Sequence, residues 1–119
     1  MQRNMDLIRL ILLEVEGQQE VDLSQFKNEE VFYHKYLLID GRFAVGNVLW
    51  GQDNDGNAAI SDAAISRLTW EGHDFLDAAR NDSIWKSAMS KVKSIGGSVS
   101  VDIVKAILIA LIKEKAGLS

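Results

Sequence analysis

The chain has 119 residues, of which 47% are hydrophobic and 25% charged, and its formal net charge is −4. These values are typical of one folded domain, so they exclude a mainly disordered chain and a protein whose whole surface attracts nucleic acid. Cysteine is absent, which excludes disulfides, a thiol nucleophile and cysteine-ligated metal sites.

Charge is distributed unevenly along the chain. Residues 1–79 hold 6 Lys and Arg against 14 Asp and Glu, a net charge of −8, whereas residues 80–119 hold 7 against 3, a net charge of +4. An anionic partner is therefore expected to meet the C-terminal third. The first residues do not resemble a signal peptide, and the longest apolar run, residues 106–112, is far shorter than the roughly 20 residues of a membrane span. We expect a cytoplasmic protein that does not enter the membrane.

The N-terminal third predicts two helices and an extended link. Apolar residues at spacings of three and four predict a first helix over about residues 4–16, which Gly17 ends. The short alternating stretch 21–26 favours an edge strand or an extended link. Asn28 is expected to cap the second helix, and the pair Asp40-Gly41 ends it in a turn.

A β-hairpin is predicted next. Apolar residues between Phe43 and Leu49 predict a strand, with a bulge or bend at Gly46-Asn47. The polar segment 51–57, which reads GQDNDGN, is typical of a hairpin tip, and residues 60–68 return as the partner strand.

Three further helices complete the predicted order. Each is expected to begin at a capping residue: Thr69, then Asn81 or Asp82, then Ser98 or Ser100. The pair Gly96-Gly97 separates the last two helices, and the final helix extends to about Lys115. We expect Trp50, Trp70 and Trp85 to anchor the core rather than to stack on nucleic-acid bases.

The order of helix, short strand, helix, hairpin and further helices is that of a winged helix. Residues 33–43, YHKYLLIDGRF, look like the second helix of a helix-turn-helix running into the wing, and residues 68–76, LTWEGHDFL, are similar to an LTxxGxxFL junction of winged-helix proteins. More closely, ISRLTWEGHDFLDAARNDSIWK and the start MQRNMDLIRLILLEVE resemble a family of small bacterial and prophage-encoded proteins without an established activity. The resemblance implies an α+β, mostly helical domain over residues 1–119. It would comprise a winged helix-turn-helix core with a hairpin wing, residues 1–79, and a C-terminal helical extension, residues 80–119.

In a winged helix, the second helix of the motif enters the major groove of DNA. Here Glu29 and Glu30 at its start would repel phosphate, so DNA binding is the less favoured function. If nucleic acid is bound, the candidate contacts are basic or imidazole side chains on this helix, the turn after it and the fourth helix: His34, Lys35, Arg42, Lys86, Lys91 and Lys93.

No catalytic motif, phosphate-binding glycine loop or HExxH sequence is present. The acidic tip that starts at Asp53 has Ala58 and Ala64 where a calcium loop of the EF-hand type requires glycine and glutamate. We therefore expect no enzyme activity, no cofactor and no metal.

The last helix carries the strongest pattern. Between residues 99 and 112 almost every side chain is apolar, with Ser100, Asp102 and Lys105 as exceptions. A helix that is apolar on all sides must be covered on all sides. We therefore predict a homodimer in which one side packs on a second copy, either the set Ile103, Ile107 and Leu111 or the opposite set Val104, Leu108 and Ile112. The alternative is full burial under the preceding helix and the wing.

The sequence thus favours a non-enzymatic winged-helix module that acts through protein contacts, with an unidentified protein partner in addition to its own copy. The rival is a DNA-binding transcriptional regulator of the same fold.

Overall fold

Five helices and one antiparallel two-stranded sheet make up residues 1–118, the part of the chain that the computed structural model describes. The order is α1 (Met5–Glu16), α2 (Asn28–Asp40), β1 (Ala44–Gln52), β2 (Ala58–Leu68), α3 (Trp70–Ala79), α4 (Asp82–Ser94) and α5 (Val101–Lys115). The predicted α+β, mostly helical class is confirmed. The winged-helix topology stays a prediction.

Contacts divide the chain into two compact units. The first is Met1–His73, and the second begins at Asp74, so the division falls inside α3. The sequence places the division six residues later, at the end of that helix. We refer to them as the first and second units.

In the first unit, α1 and α2 pack on each other and on the hairpin. The side chain of Asn4 accepts a hydrogen bond from the Leu7 N–H at 3.2 Å and so caps α1, and Gly17 ends the helix in the left-handed conformation, with φ of 77°. α1 therefore begins one residue after the predicted start at about residue 4, and it ends at Gly17 as predicted. Its interior contributes a fully buried face to the core: Leu7, Ile8, Ile11, Leu12 and Leu13.

Of the two alternatives predicted for the link between α1 and α2, the edge strand does not form. No strand forms between Gly17 and Lys27, where the chain runs through bends and a turn. The Ser24 side chain and backbone N–H both bond the carboxylate of Asp22, which lowers the pKa of that exposed carboxyl and fixes the local turn. Asn28 is not the cap of α2, because Lys27 occupies that position and makes no side-chain bond.

The sheet has two bulges, and the extra residue of each lies on β2. The sequence predicted one bulge or bend, on the first strand at Gly46-Asn47. Val45 pairs with Arg67 and Gly46 with Ile65, so the extra residue is Ser66 of β2. Its hydroxyl donates to the Val45 carbonyl at 3.0 Å. A Cβ on Gly46 would collide with the Ala64 carbonyl across the sheet, so this glycine permits a close approach of the two strands instead of forming the bulge itself.

The second bulge redirects the outer part of the hairpin. Leu49 pairs with Asp62 and Trp50 with Ile60, which leaves Ser61 as the extra residue; its hydroxyl donates to the Leu49 carbonyl at 3.1 Å. Leu49 and Trp50 lie opposite this bulge, and both are exposed, at 60% and 56%.

The junction between β2 and α3 explains the LTxxGxxFL pattern. Leu68 is buried, and the Thr69 hydroxyl accepts from the Gly72 N–H at 3.1 Å while donating to the Arg42 carbonyl at 2.7 Å. Thr69 is thus the predicted cap of α3, and it also ties α3 to the turn before β1. A Cβ on Gly72 would collide with the carbonyl oxygen of Phe43, so only glycine allows this approach.

The second unit is built from the rest of α3 with α4 and α5. The rings of Phe75 and Trp85 meet edge to face, with centroids 6.4 Å apart, and both side chains are buried. Asn81 and Ser100 cap α4 and α5, and Gly96 and Gly97 both have positive φ between the two helices. These boundaries match the prediction.

Of the three tryptophans, Trp85 is the only one in the core of the described residues, whereas Trp50 and Trp70 are exposed and the prediction for them is wrong.

Candidate interaction surfaces

α5 is covered on one side only. Val104 and Leu108 have no exposed surface, but Ile103 is 46% exposed and Ile109 is 39% exposed. Ala106 and Ala110 are exposed between them. Within the second unit, the packing of α5 on α4 therefore leaves this side of α5 uncovered.

The exposed side of α5 has a regular layout, and we call it the outer face. At about 100° per residue, Asp102, Ala106, Ile109 and Lys113 follow one line along the helix at spacings of four, three and four. All four side chains are exposed, and Ile103 and Ala110 flank the line on one side. A spacing of this kind is typical of the seam between two paired helices.

The predicted self-association residues separate into three groups. Ile103 belongs to the outer face, whereas Val104 and Leu108 are core residues that are unavailable to a partner in the folded chain. The others are half-buried at the edges: Ile107, Leu111 and Ile112. Sequence reasoning missed Ala106, Ile109 and Ala110, because an apolar helix gives no periodicity that tells its covered side from its free side.

His34 is a structural residue in this fold. It has no exposed surface, and its Nε2 lies 2.8 Å from the Asn4 backbone nitrogen, which can only donate. Nε2 must therefore accept, so the proton resides on Nδ1, which donates to the Glu30 carbonyl at 2.8 Å. With both ring nitrogens bonded and the ring enclosed, His34 does not offer an atom to nucleic acid here.

The other candidate nucleic-acid contacts do not form one cluster on either unit. Lys35 is half-buried on α2, and Arg42 is exposed in the following turn, with φ of 64°. On α4 all three lysines are exposed. Lys86 and Lys93 lie about two turns apart on one side of α4, whereas Lys91 lies roughly 140° around the helix.

The described residues contain neither a cluster of metal ligands nor a helix suited to a membrane. Between residues 1 and 118, the structure holds no group of three or more His, Cys, Asp or Glu side chains placed to bind a metal. Over the same span, none of the helices has both the length and the apolar character to cross a bilayer. At the hairpin tip, the Asp53 carboxylate accepts from the N–H groups of Asp55 and Asn57, each at 2.9 Å, and backbone hydrogen bonds between Asp53, Gly56 and Asn57 also close the loop.

Comparison with known proteins places the chain in a family. Residues 2–98 match the family model described as "Hypothetical protein (DUF2513)", which spans α1 to α4 and ends before α5. A protein of Haemophilus influenzae, strain Rd, named "Uncharacterized protein", is 33% identical over 122 residues, which covers 96% of this chain and 98% of the relative. No solved structure matches. Since the family model covers well over half of its length, the chain belongs to the DUF2513 family.

Proposed function

We propose that this chain is a non-enzymatic interaction module that pairs with a second copy of itself through the outer face of α5. The observation that carries the proposal is the exposure of Ile103 and Ile109 on a helix whose opposite side is fully buried. Ala106 and Ala110 are exposed between these two isoleucines, and a continuous exposed apolar patch is typical of a protein contact surface.

Charge favours a second copy in antiparallel orientation as the occupant. Asp102 stands at the start of the outer face and Lys113 at its end, roughly three turns or 16 Å apart. A two-fold axis that relates the two helices at their midpoint would bring each Asp102 to the Lys113 of the other copy. The same axis would place Ile109 against Ala106, so that a large side chain fills the space over a small one.

The size of this surface indicates a moderate affinity. A 15-residue helix is about 22 Å long and about 10 Å wide. A face of that size is well below the roughly 800 Å² that each partner contributes to a stable complex. We therefore expect a reversible dimer whose dissociation constant is on the order of micromolar.

Replacing Ile103 and Ile109 together with serine should convert the dimer to a monomer. Each isoleucine contributes apolar contact to the dimer, and because both copies carry the substitutions, each contact is lost twice. The dissociation constant should therefore rise at least ~30-fold. Sedimentation equilibrium gives the result directly, because the wild type should approach twice the 13.2 kDa mass of one chain.

Ile95→Ser is the matched control. Ile95 is 61% exposed at the C-terminal end of α4, outside the outer face, so its replacement should leave the dimer intact. A wild type that stays monomeric at 100 micromolar contradicts the proposal, as does a double variant that dimerises like the wild type. Leu108 is unsuitable for this test because it belongs to the core.

The alternative function is that of a winged-helix regulator that binds DNA. The exposed Lys86 and Lys93 on one side of α4, within the basic C-terminal third, favour it. Adding a 30-base-pair duplex at low salt to the sedimentation run distinguishes the two functions. A complex that dissociates as salt rises would indicate phosphate contacts and favour the regulator. The cytoplasmic location and the prophage setting stay predictions from the sequence.

A further inference from the structure

The first unit carries an aromatic groove that the proposed dimer does not use. The groove has a volume of about 310 Å³ and lies between α2 and the hairpin. Its aromatic walls are Tyr33 and Tyr36 of α2 and Trp50 of β1, and Glu29 borders it. Residues 29, 33 and 36 are spaced by four and three positions, so α2 presents them on one side.

The three rings form a continuous cluster. The Tyr36 and Trp50 rings meet edge to face with centroids 5.4 Å apart, and those of Tyr33 and Tyr36 are 6.3 Å apart. Trp50 nevertheless remains 56% exposed, on β1 opposite the second bulge of the sheet. The indole therefore keeps much of its surface open to a ligand.

The electrostatics of the groove suit a cation. The face of an aromatic ring attracts positive charge, and tryptophan does so most strongly. Glu29 adds an exposed carboxylate, and the side chains that line the groove in the described chain include no Lys, Arg or His. Met1 also lines the groove, so its α-amino group is the positive charge that an incoming cation would meet there. The surrounding unit is acidic, since residues 1–73 hold 6 Lys and Arg against 12 Asp and Glu, a net charge of −6.

We propose that this groove binds the guanidinium group of an arginine on a partner protein. Arginine stacks on aromatic rings and pairs with carboxylates at the same time, which is the combination that Trp50, Tyr36 and Glu29 provide. The volume is at the lower end of the roughly 300–1,000 Å³ of small-molecule pockets, so it accommodates one side chain rather than a large ligand. The acidic first unit would attract a basic partner segment.

The test uses the full chain labelled with nitrogen-15 and a capped peptide, Gly-Gly-Arg-Gly-Gly. We expect a saturable shift of the Trp50 indole N–H resonance at millimolar peptide. The same peptide with citrulline in place of arginine has nearly the same shape without the charge, and it should bind at least ~5-fold more weakly.

Variants locate the site. Trp50→Leu should reduce the affinity at least ~5-fold, as read from the remaining shifted resonances, and Glu29→Gln should reduce it about 3-fold. Both positions are exposed, so the fold should survive the changes. Trp70→Leu is the matched control, because Trp70 is 79% exposed and does not line the groove. Equal binding of the citrulline peptide, tighter binding of a lysine peptide, an equal loss in Trp70→Leu, or no saturable shift would each overturn the proposal.

Discussion

Replacing Gly72 with alanine should lower the free energy of unfolding by about 3 kcal/mol or more. The new Cβ would collide with the carbonyl oxygen of Phe43 and would also lie 3.3 Å from the Leu68 Cβ. The Phe43 carbonyl cannot easily move away, since it already accepts a hydrogen bond from the Thr69 N–H at 3.0 Å. Backbone would therefore have to shift at the start of α3 or at the start of the hairpin.

The sign of the change in unfolding free energy shows which of two effects dominates at Gly72: the close approach of its backbone to Phe43, or the higher helix propensity of alanine. Gly72 lies in the first turn of α3, where alanine would stabilise an unobstructed helix by up to about 1 kcal/mol. Urea unfolding followed by circular dichroism measures the change. Gly51→Ala is the matched control, because its Cβ would make ordinary contact with Ser61 at 3.6 Å and should have little effect. A Gly72→Ala variant as stable as the wild type would show that the two backbones are not in close contact.

Replacing His34 with alanine should lower the free energy of unfolding by about 3 kcal/mol. The change removes a buried ring and leaves the Asn4 N–H without its acceptor at the start of α1. A buried donor that loses its partner costs about 1–3 kcal/mol, and the cavity adds to that. Urea unfolding gives the value.

Two further variants test whether the lost hydrogen bond to Asn4 causes part of the destabilisation in His34→Ala. His34→Phe keeps a ring of similar size but cannot accept from Asn4, so it should recover packing and still be less stable than the wild type. His73→Ala, which changes the other histidine at an exposed position, should alter stability by no more than about 0.5 kcal/mol. If His34→Ala and His73→Ala are equally stable, the bond between α1 and α2 through His34 does not support the fold.

Local chemistry made most element boundaries predictable. Thr69 and Asn81 cap their helices because a short polar side chain can bond the free N–H groups of a first turn. Gly17 ends α1 by adopting a positive φ. These effects depend only on neighbours in the sequence, so the sequence is sufficient to find them.

Tertiary effects were not predictable in the same way. Gly46 marked the bulge region correctly, but the extra residues are Ser61 and Ser66, because the register depends on both strands at once. For His34, the decisive partner is a backbone N–H thirty residues earlier in the chain, a pairing that no local pattern encodes.

The candidate site was predictable only in part. The sequence indicated that α5 needs a cover, and Ile103 of the proposed surface was among the residues named for it. The sequence alone could not separate the fully buried Val104 and Leu108 from the exposed Ile109, because all three residues are apolar. The opposite charges of Asp102 and Lys113 could be recognised as part of the surface only from the structure, which places both side chains on one exposed line of α5.

Exchange of the charges at the two ends of α5 tests the proposed dimer most directly. Asp102→Lys alone should weaken the dimer about tenfold, because it would set like charges against each other at both ends of the seam. Asp102→Lys combined with Lys113→Asp should restore most of the affinity, even though both charges then oppose the helix dipole. Sedimentation equilibrium of the wild type, the single variant and the double variant gives the three dissociation constants. Recovery in the double variant is the predicted result, and a double variant as weak as the single one would contradict antiparallel pairing through the outer face.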